Sequence, residues 1–133
     1  MITTDFTNRT VLVTGSSKGV GAATARIMAK AGARVCVHYK GDVVGAKAVL
    51  ASLPGAGHTM FQADLSDPKA AKRLVEGAAV KLGRLDILVN NAGIFQPHPV
   101  DGSMAFDQRL ETFQTTLQTN LVGPAAESCA AIP

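Results

Sequence analysis

The chain has 133 residues, of which 47% are hydrophobic and 17% are charged, a balance typical of one soluble domain that can bury a core. The formal net charge of +3 comes from thirteen Lys and Arg residues spread along the chain, so the sequence lacks the basic cluster of a nucleic-acid-binding surface. It also lacks the ~18 consecutive apolar residues of a membrane span and the apolar core of a signal peptide, so we expect a cytoplasmic protein.

Short apolar runs alternate with amphipathic segments, which is the pattern of a protein with mixed strands and helices. The predicted strands cover residues Thr10–Val13, Arg34–Tyr39, 58–62 and 85–89. The third of the helices between and after them has the clearest boundaries, because Asp67 caps it, Pro68 takes its first position and Gly83 ends it. Repeated βαβ units of this length predict a parallel sheet with right-handed crossovers.

Apolar residues at helical spacing predict the face that each helix buries. For the first three helices these residues are Val20, Ala23, Ile27 and Ala31; Ala46, Val49, Leu50 and Leu53; and Ala71, Leu74, Val75, Ala78 and Leu82. The apolar face of the last helix is formed by Phe106, Leu110, Phe113, Leu117 and Leu121. The unbroken run Ile87, Leu88 and Val89 predicts a fourth strand that is covered on both faces.

The cysteines and histidines give no pattern of a metal or redox site. Cys36 lies in a predicted strand and Cys129 in a predicted helix, and their spacing fits neither a zinc site nor a disulfide framework. His38, His58 and His98 lie in different segments without ligand spacing. We therefore predict no metal, two cysteines that act as small core residues, and three histidines at the surface or at strand ends.

A glycine-rich segment connects the first strand to the first helix. Gly15, Gly19 and Gly21 give the spacing G-x-x-x-G-x-G, which differs from the commoner dinucleotide-binding spacing G-x-G-x-x-G. Glycine lets the turn tighten and lets the backbone approach a pyrophosphate, while the helix N-terminus offers free N–H groups and partial positive charge to an anion. The segment therefore predicts a nucleotide-binding turn.

Asn90, Asn91, Ala92 and Gly93 follow the fourth predicted strand, and together with the glycine-rich turn they make the chain resemble the short-chain dehydrogenase/reductase (SDR) family. The resemblance runs from about Arg9 to the last residue. It implies an α/β fold with a Rossmann-like, doubly wound parallel sheet, here truncated after the fourth strand and the following helix, in strand order 3-2-1-4. It also implies a single NAD(P)-binding domain that occupies the whole chain.

The resemblance places the cofactor against the glycine-rich turn and the ends of the next three strands. The residues that it assigns to cofactor binding are Gly15, Ser17, Lys18, Gly19, Val20, Gly21, Tyr39, Lys40, Asp64, Leu65, Asn90, Asn91, Ala92, Gly93 and Ile94. Asp64 stands where the family has an aspartate that binds the adenine amino group. As alternatives without a ligand, Asp64 can simply end a strand, and Asn90 and Asn91 can simply form a turn.

Charge at the end of the second strand favours NADP(H) over NAD(H). About 18 residues after Gly21, where an NAD enzyme would place a carboxylate, the chain has Tyr39 followed by Lys40. Lys18 lies inside the glycine-rich turn, so two ammonium groups are expected to meet one 2′-phosphate. The alternative is that both lysines are solvated surface charges.

Asn120 is the candidate catalytic residue. It lies at the border of the apolar face of the last helix, three residues after Leu117. Pro124 has no N–H, so the carbonyl of Asn120 is expected to lose its helical hydrogen bond and to be open to a water. In the resembled family this carbonyl links solvent to the catalytic lysine in a proton relay. The alternative is a kinked helix with no catalytic meaning.

The remaining catalytic residues of the resembled family are missing. The family uses a Tyr-x-x-x-Lys pair and an upstream Ser, but the only tyrosine here is Tyr39, four residues before Val43, and the only Ser after Asn120 is Ser128. We therefore expect this to be the amino-terminal half of an NADP(H)-dependent carbonyl reductase or alcohol dehydrogenase, such as a 3-oxoacyl reductase. Alone it should bind NADPH weakly and turn nothing over.

Two other interpretations stay open at this point. The chain can be a non-catalytic nucleotide-binding module that forms a homo-oligomer through the open edge of its fourth strand, or a truncated product with no function. The substrate is equally open, because a thioester, a sugar, a steroid or a small ketone all suit the fold.

Overall fold

The computed structural model describes residues 4–132, in which four parallel strands form one sheet in the order β3-β2-β1-β4. In chain order the elements are β1 Thr10–Val13, α1 Gly19–Lys30, β2 Arg34–Tyr39, α2 Val43–Ser52, β3 Thr59–Gln62, α3 Pro68–Leu82, β4 Ile87–Val89, α4 Phe106–Leu117, a π-helical segment Gln118–Val122, and α5 Gly123–Ala131. The predicted fold class and strand order are confirmed.

Successive side chains of the two central strands point to opposite faces of the sheet, so the core has one part on each face. Val11 and Val13 of β1 lie in a buried cluster with the small residues of α1 and with α2. Leu12 of β1 and Cys36 of β2 point to the opposite face, where they pack with α3. Successive strand residues point to opposite faces, so two buried faces require an apolar residue at almost every position.

Helix α3 follows its sequence signals closely. The Asp67 side chain accepts a hydrogen bond from the backbone N–H of Lys69, Pro68 opens the helix, and Gly83 ends it at φ 84°. All five residues expected on its buried face are buried. Helix α2 likewise buries Ala46 and Val49.

The buried face predicted for α1 is wrong. Val20 and Ile27 are 75% and 67% exposed, whereas the face against the sheet consists of small residues. These are Gly21, Ala22, Ala25 and Ala29. Small side chains let the helix backbone lie close to the sheet, so the largest apolar residues are not the ones that mark the core face here.

Two further expectations about burial are corrected. Strand β4 begins at Ile87 instead of residue 85 and is half-buried, because within the described residues it pairs with β1 alone and its other edge is open. Cys129 is exposed on α5, whereas Cys36 is buried as predicted. The open edge of β4 explains the lower burial of this end of the sheet.

The last predicted helix is divided into three parts. Helix α4 buries none of its residues, and Phe106 is 72% exposed. In the π-helical segment the N–H of Gly123 donates to the carbonyl of Gln118, five residues earlier. Helix α5 then packs on α3, and Gly123 lies so close to the chain after β3 that a Cβ there would lie 2.6 Å from the carbonyl oxygen of Leu65.

Candidate functional site

A cleft of about 400 Å³ lies at the carboxyl ends of the strands, where the chain order of the sheet reverses between β1 and β4. The predicted cofactor residues that line it are Gly15, Ser17, Lys18, Tyr39, Lys40, Asp64, Leu65, Asn91, Ala92, Gly93 and Ile94. The residues that line it without having been predicted are His38, Gly41, Asp42, Ala63 and Thr119. Topology therefore brings five separate segments of the chain to one place.

The glycine-rich turn has no room for side chains at two of its glycines. Gly15 has φ 61°, and a Cβ there would lie 2.8 Å from the Cα of Ala92. A Cβ on Gly21 would lie 2.4 Å from the carbonyl oxygen of Gly15 and 2.5 Å from Nδ2 of Asn91. Gly19 has φ 58° but open space around it, so its requirement is conformational. Each glycine is thus explained by a separate constraint.

The start of α1 offers unpaired backbone donors. Lys18 is the N-cap residue and its side chain makes no capping hydrogen bond, and the first turn contains no acidic residue. The first N–H groups of an α-helix lack partners within the helix and carry part of its positive dipole. The helix therefore begins, at the edge of the cleft, with the free donors and partial positive charge that suit an anion.

Asn91 and Thr14 join the end of β4 to the glycine-rich turn. The hydroxyl of Thr14 accepts hydrogen bonds from the backbone N–H groups of Asn91 and Ala92, each at 3.0 Å. The Asn91 side chain donates to the carbonyls of Thr14 and Gly15 at 2.9 and 3.2 Å. These bonds tie the end of β4 to the glycine-rich turn at the edge of the cleft.

Asn90 and Asn120 lie beside the cleft, and their side chains serve other contacts. The Asn90 amide donates to the hydroxyl of Ser128 on α5 at 3.1 Å. The Asn120 side chain brackets the backbone of Ile94, because its Oδ1 accepts from the N–H and its Nδ2 donates to the carbonyl, both at 2.8 Å. Asn120 thereby holds the segment that leaves β4 along the cleft.

Two lysines, Lys18 and Lys40, and two aspartates, Asp42 and Asp64, carry charge along the cleft. Lys18 and Lys40 both line the cleft, and Nζ of Lys40 lies 3.0 Å from a carboxylate oxygen of Asp64. Partial burial alone raises the pKa of Asp64, but hydrogen bonds from Ser66 and Lys40 outweigh it and hold that pKa below its usual value. Asp64 is therefore ionised near neutral pH, and its charge is partly balanced by Lys40.

Asp42 is a carboxylate that the sequence interpretation missed. It is the N-cap residue of α2, and its Oδ1 accepts from the N–H of Gly45 at 2.9 Å. The sequence contained a signal for this role, because Asp is a common N-cap residue whose side chain accepts a hydrogen bond from a backbone N–H in the first helical turn.

His38 lies near the end of β2, as predicted, but it is not a surface residue, since only 2% of it is exposed. Its Nδ1 accepts from the N–H of Gly15 at 2.9 Å, and its Nε2 lies 3.1 Å from the carbonyl oxygen of Ala63. Burial lowers the pKa of His38, although the hydrogen bond to Ala63 opposes the shift. A signal existed, because a histidine inside an otherwise apolar, doubly covered strand needs buried partners.

Across residues 4–132 there is no group of three or more His, Cys, Asp or Glu side chains that could hold a metal ion. Among the helices of the same residues, none combines the length and the apolar character that crossing a membrane requires.

Comparison with known proteins gives a consistent result. A 3beta-hydroxysteroid dehydrogenase of Eggerthella lenta is 37% identical over 121 residues, which cover 90% of this chain and 44% of that protein. A 3-oxoacyl-[acyl-carrier-protein] reductase of Synechocystis is 34% identical over 122 residues, which cover 90% of this chain and 47% of that protein.

Among solved structures, a short chain dehydrogenase of Burkholderia cenocepacia in complex with NADP superposes with a TM-score of 0.84 at 38% identity, over 95% of this chain and 50% of that one. The chain thus spans about half the length of these relatives. A model of the short chain dehydrogenase family matches residues 9–133. The chain therefore belongs to the short-chain dehydrogenase/reductase family of oxidoreductases.

Proposed function

We propose that the chain forms the NADP(H)-binding half of an oxidoreductase that reduces a carbonyl group or oxidises an alcohol. The observation that carries the proposal is the cleft itself, in which a glycine-rich turn, an uncapped helix N-terminus and two lysines lie together. A dinucleotide phosphate has an anionic diphosphate, an extra ribose phosphate and an adenine, and the cleft offers a matching group for each of them.

The N–H groups at the start of α1 would hold the diphosphate, and the open space beside Gly19 would let it approach. Gly15 and Gly21 would let the turn pack closely against the end of β4. Lys18 and Lys40 would bind the 2′-phosphate, and Asp64 would accept a hydrogen bond from the adenine amino group. When bound, the nicotinamide ring supplies or accepts the hydride. The remaining predicted contacts, at Tyr39, Leu65 and residues 91–94, would line the rest of the cofactor.

Asn120 is the member of the family's catalytic set that this chain contains. Its side chain positions Ile94, and its place at the π-helical segment supports the proposed role of its backbone in holding a water. The chain offers no Tyr-x-x-x-Lys pair, because Tyr39 is its one tyrosine and Val43 lies four residues later. We therefore propose that this chain alone binds cofactor without turning it over.

The cofactor proposal is tested by titrating NADPH and NADH into the purified chain and following binding by calorimetry. We expect NADPH to bind more tightly, because only NADPH carries the phosphate that the two ammonium groups can pair with. Lys18→Met and Lys40→Met should each weaken NADPH binding by roughly tenfold and leave NADH binding nearly unchanged.

Lys69→Met is the matched control, because Lys69 is exposed on α3, away from the cleft. It should leave the affinity for both cofactors unchanged. Equal affinity of the unmodified chain for NADPH and NADH would contradict the assignment of the 2′-phosphate site, and absence of binding to both would contradict the proposed function.

A further inference from the structure

His38 connects the two sides of the cleft through its ring. It ends the buried part of β2, between the glycine-rich turn after β1 and the end of β3. Its Nδ1 accepts from the N–H of Gly15 at 2.9 Å, and its Nε2 faces the carbonyl oxygen of Ala63 at 3.1 Å. Ala63 immediately precedes Asp64, so one imidazole touches the turn and the wall that carries the cleft's aspartate.

The backbone of His38 strengthens the same connection. Its carbonyl oxygen accepts from the N–H of Ser16 at 2.9 Å, and its N–H donates to the hydroxyl of Ser16 at 3.0 Å. That hydroxyl in turn donates to the carbonyl of Val13 at 2.7 Å. Ser16 and His38 are both buried, so water cannot replace these hydrogen bonds if the geometry shifts.

The two ring contacts require one protonation state. A histidine that accepts at Nδ1 and donates at Nε2 is neutral and carries its proton on Nε2. Burial favours the neutral ring, in agreement with the lowered pKa of this group. The N–H of Gly15 is thereby held inward at a residue whose φ is positive, just before Ser17 and Lys18, which line the cleft.

We propose that His38 is a positioning residue that sets the shape of the glycine-rich turn through its hydrogen bond with Gly15. Through Ala63 it also couples this turn to the end of β3, which carries Asp64. The proposal rests on the proposed function, because the turn that His38 positions is the one assigned to the diphosphate. His38 acts through Gly15 and is not itself assigned a cofactor contact.

Two substitutions separate the two ring contacts. In His38→Asn the side-chain oxygen takes the place of Nδ1 and can still accept from Gly15, whereas the bond to Ala63 is lost. In His38→Gln the longer side chain can reach Ala63 with its NH₂ group, but nothing remains at the Nδ1 position. We expect His38→Gln to weaken NADPH binding on the order of tenfold, and His38→Asn to stay within about threefold of the unmodified chain.

A purely structural role would instead lower thermal stability without this difference in binding between the two variants. If both variants bind NADPH as the unmodified chain does, the inference is overturned while the proposed function stands. If the unmodified chain does not bind NADPH, both fail together.

Hydrogen exchange at the Gly15 amide gives a second test that requires no variant to fold. The inference predicts strong protection of this amide in the unmodified chain without cofactor, although it lies in a turn. Exchange at the rate of an open loop would overturn the inference even if His38→Gln proves insoluble.

Discussion

Replacing Gly21 by alanine is expected to abolish measurable NADPH binding. The new Cβ would lie 2.4 Å from the carbonyl oxygen of Gly15 and 2.5 Å from Nδ2 of Asn91, so the turn or the β4 end must move. Overpacking of this kind costs roughly 1–3 kcal/mol of stability, and a misplacement of about 1 Å at a binding site can cost about a hundredfold in function. Calorimetric titration together with a thermal melt measures both effects.

Gly83→Ala is the control for the glycine substitution. Gly83 ends α3 at φ 84° with no atom near a Cβ, so alanine there is strained by about 1 kcal/mol but leaves the cleft untouched. It should lower the melting temperature and retain NADPH binding. If Gly21→Ala binds NADPH as well as Gly83→Ala does, the close approach between the turn and Asn91 has no role in binding.

Replacing Glu127 by leucine is expected to stabilise the chain at pH 8. Glu127 lies on α5 with no exposed surface, and neither of its carboxylate oxygens has a hydrogen-bond partner among the described residues. Burial raises its pKa from 4.5 to about 7. A carboxyl group whose pKa is raised by folding stays protonated to a higher pH in the folded state than in the unfolded state. Its ionisation therefore lowers the free energy of unfolding as the pH rises.

The pH window for this effect follows from the same shift. Below pH 4.5 the buried carboxyl of Glu127 hardly changes the free energy of unfolding. Between pH 4.5 and about 7 its contribution lowers that free energy progressively, by roughly 3 kcal/mol in all. Chemical unfolding at pH 5 and pH 8 should therefore show a larger gain for Glu127→Leu at pH 8. Glu127→Gln should show the same trend with a smaller gain, because its amide remains unpaired.

Glu111→Gln is the matched control, since Glu111 is exposed on α4. It should change stability very little at either pH. An equal gain from Glu127→Leu at both pH values would show that the gain comes from apolar packing alone and would contradict the raised pKa of Glu127.

The strands and α3 could be predicted because their signals are local. Asp67, Pro68 and Gly83 act on the backbone of their own helix, and apolar runs define the strands without knowledge of their partners. The motif residues Gly15 and Asn91 were also found from sequence, and the structure brings them to one cleft. Position in a parallel sheet then follows from topology, since strand ends meet at one edge.

The incorrect predictions concern residues whose burial depends on partners that are distant in the sequence. The exposed Val20 and Ile27 are the most hydrophobic residues of α1, but the closeness of helix and sheet selects glycine and alanine for the core. His38 was missed because its function depends on the N–H of Gly15 and the carbonyl of Ala63, 23 and 25 residues away in the chain. No pattern along β2 alone specifies those partners.

The position of Asn120 depends on how many residues the π-helical segment contains as well as on their types. The segment fits one additional residue into the turn between α4 and α5, which are otherwise regular helices. Deleting one residue between 118 and 122 would let α4 and α5 join as a continuous α-helix, because the segment already holds the additional residue, but the residues of the stretch itself would face new directions. Substitutions in this stretch are consequently better tolerated than a change in its length, which would turn the amide away from Ile94.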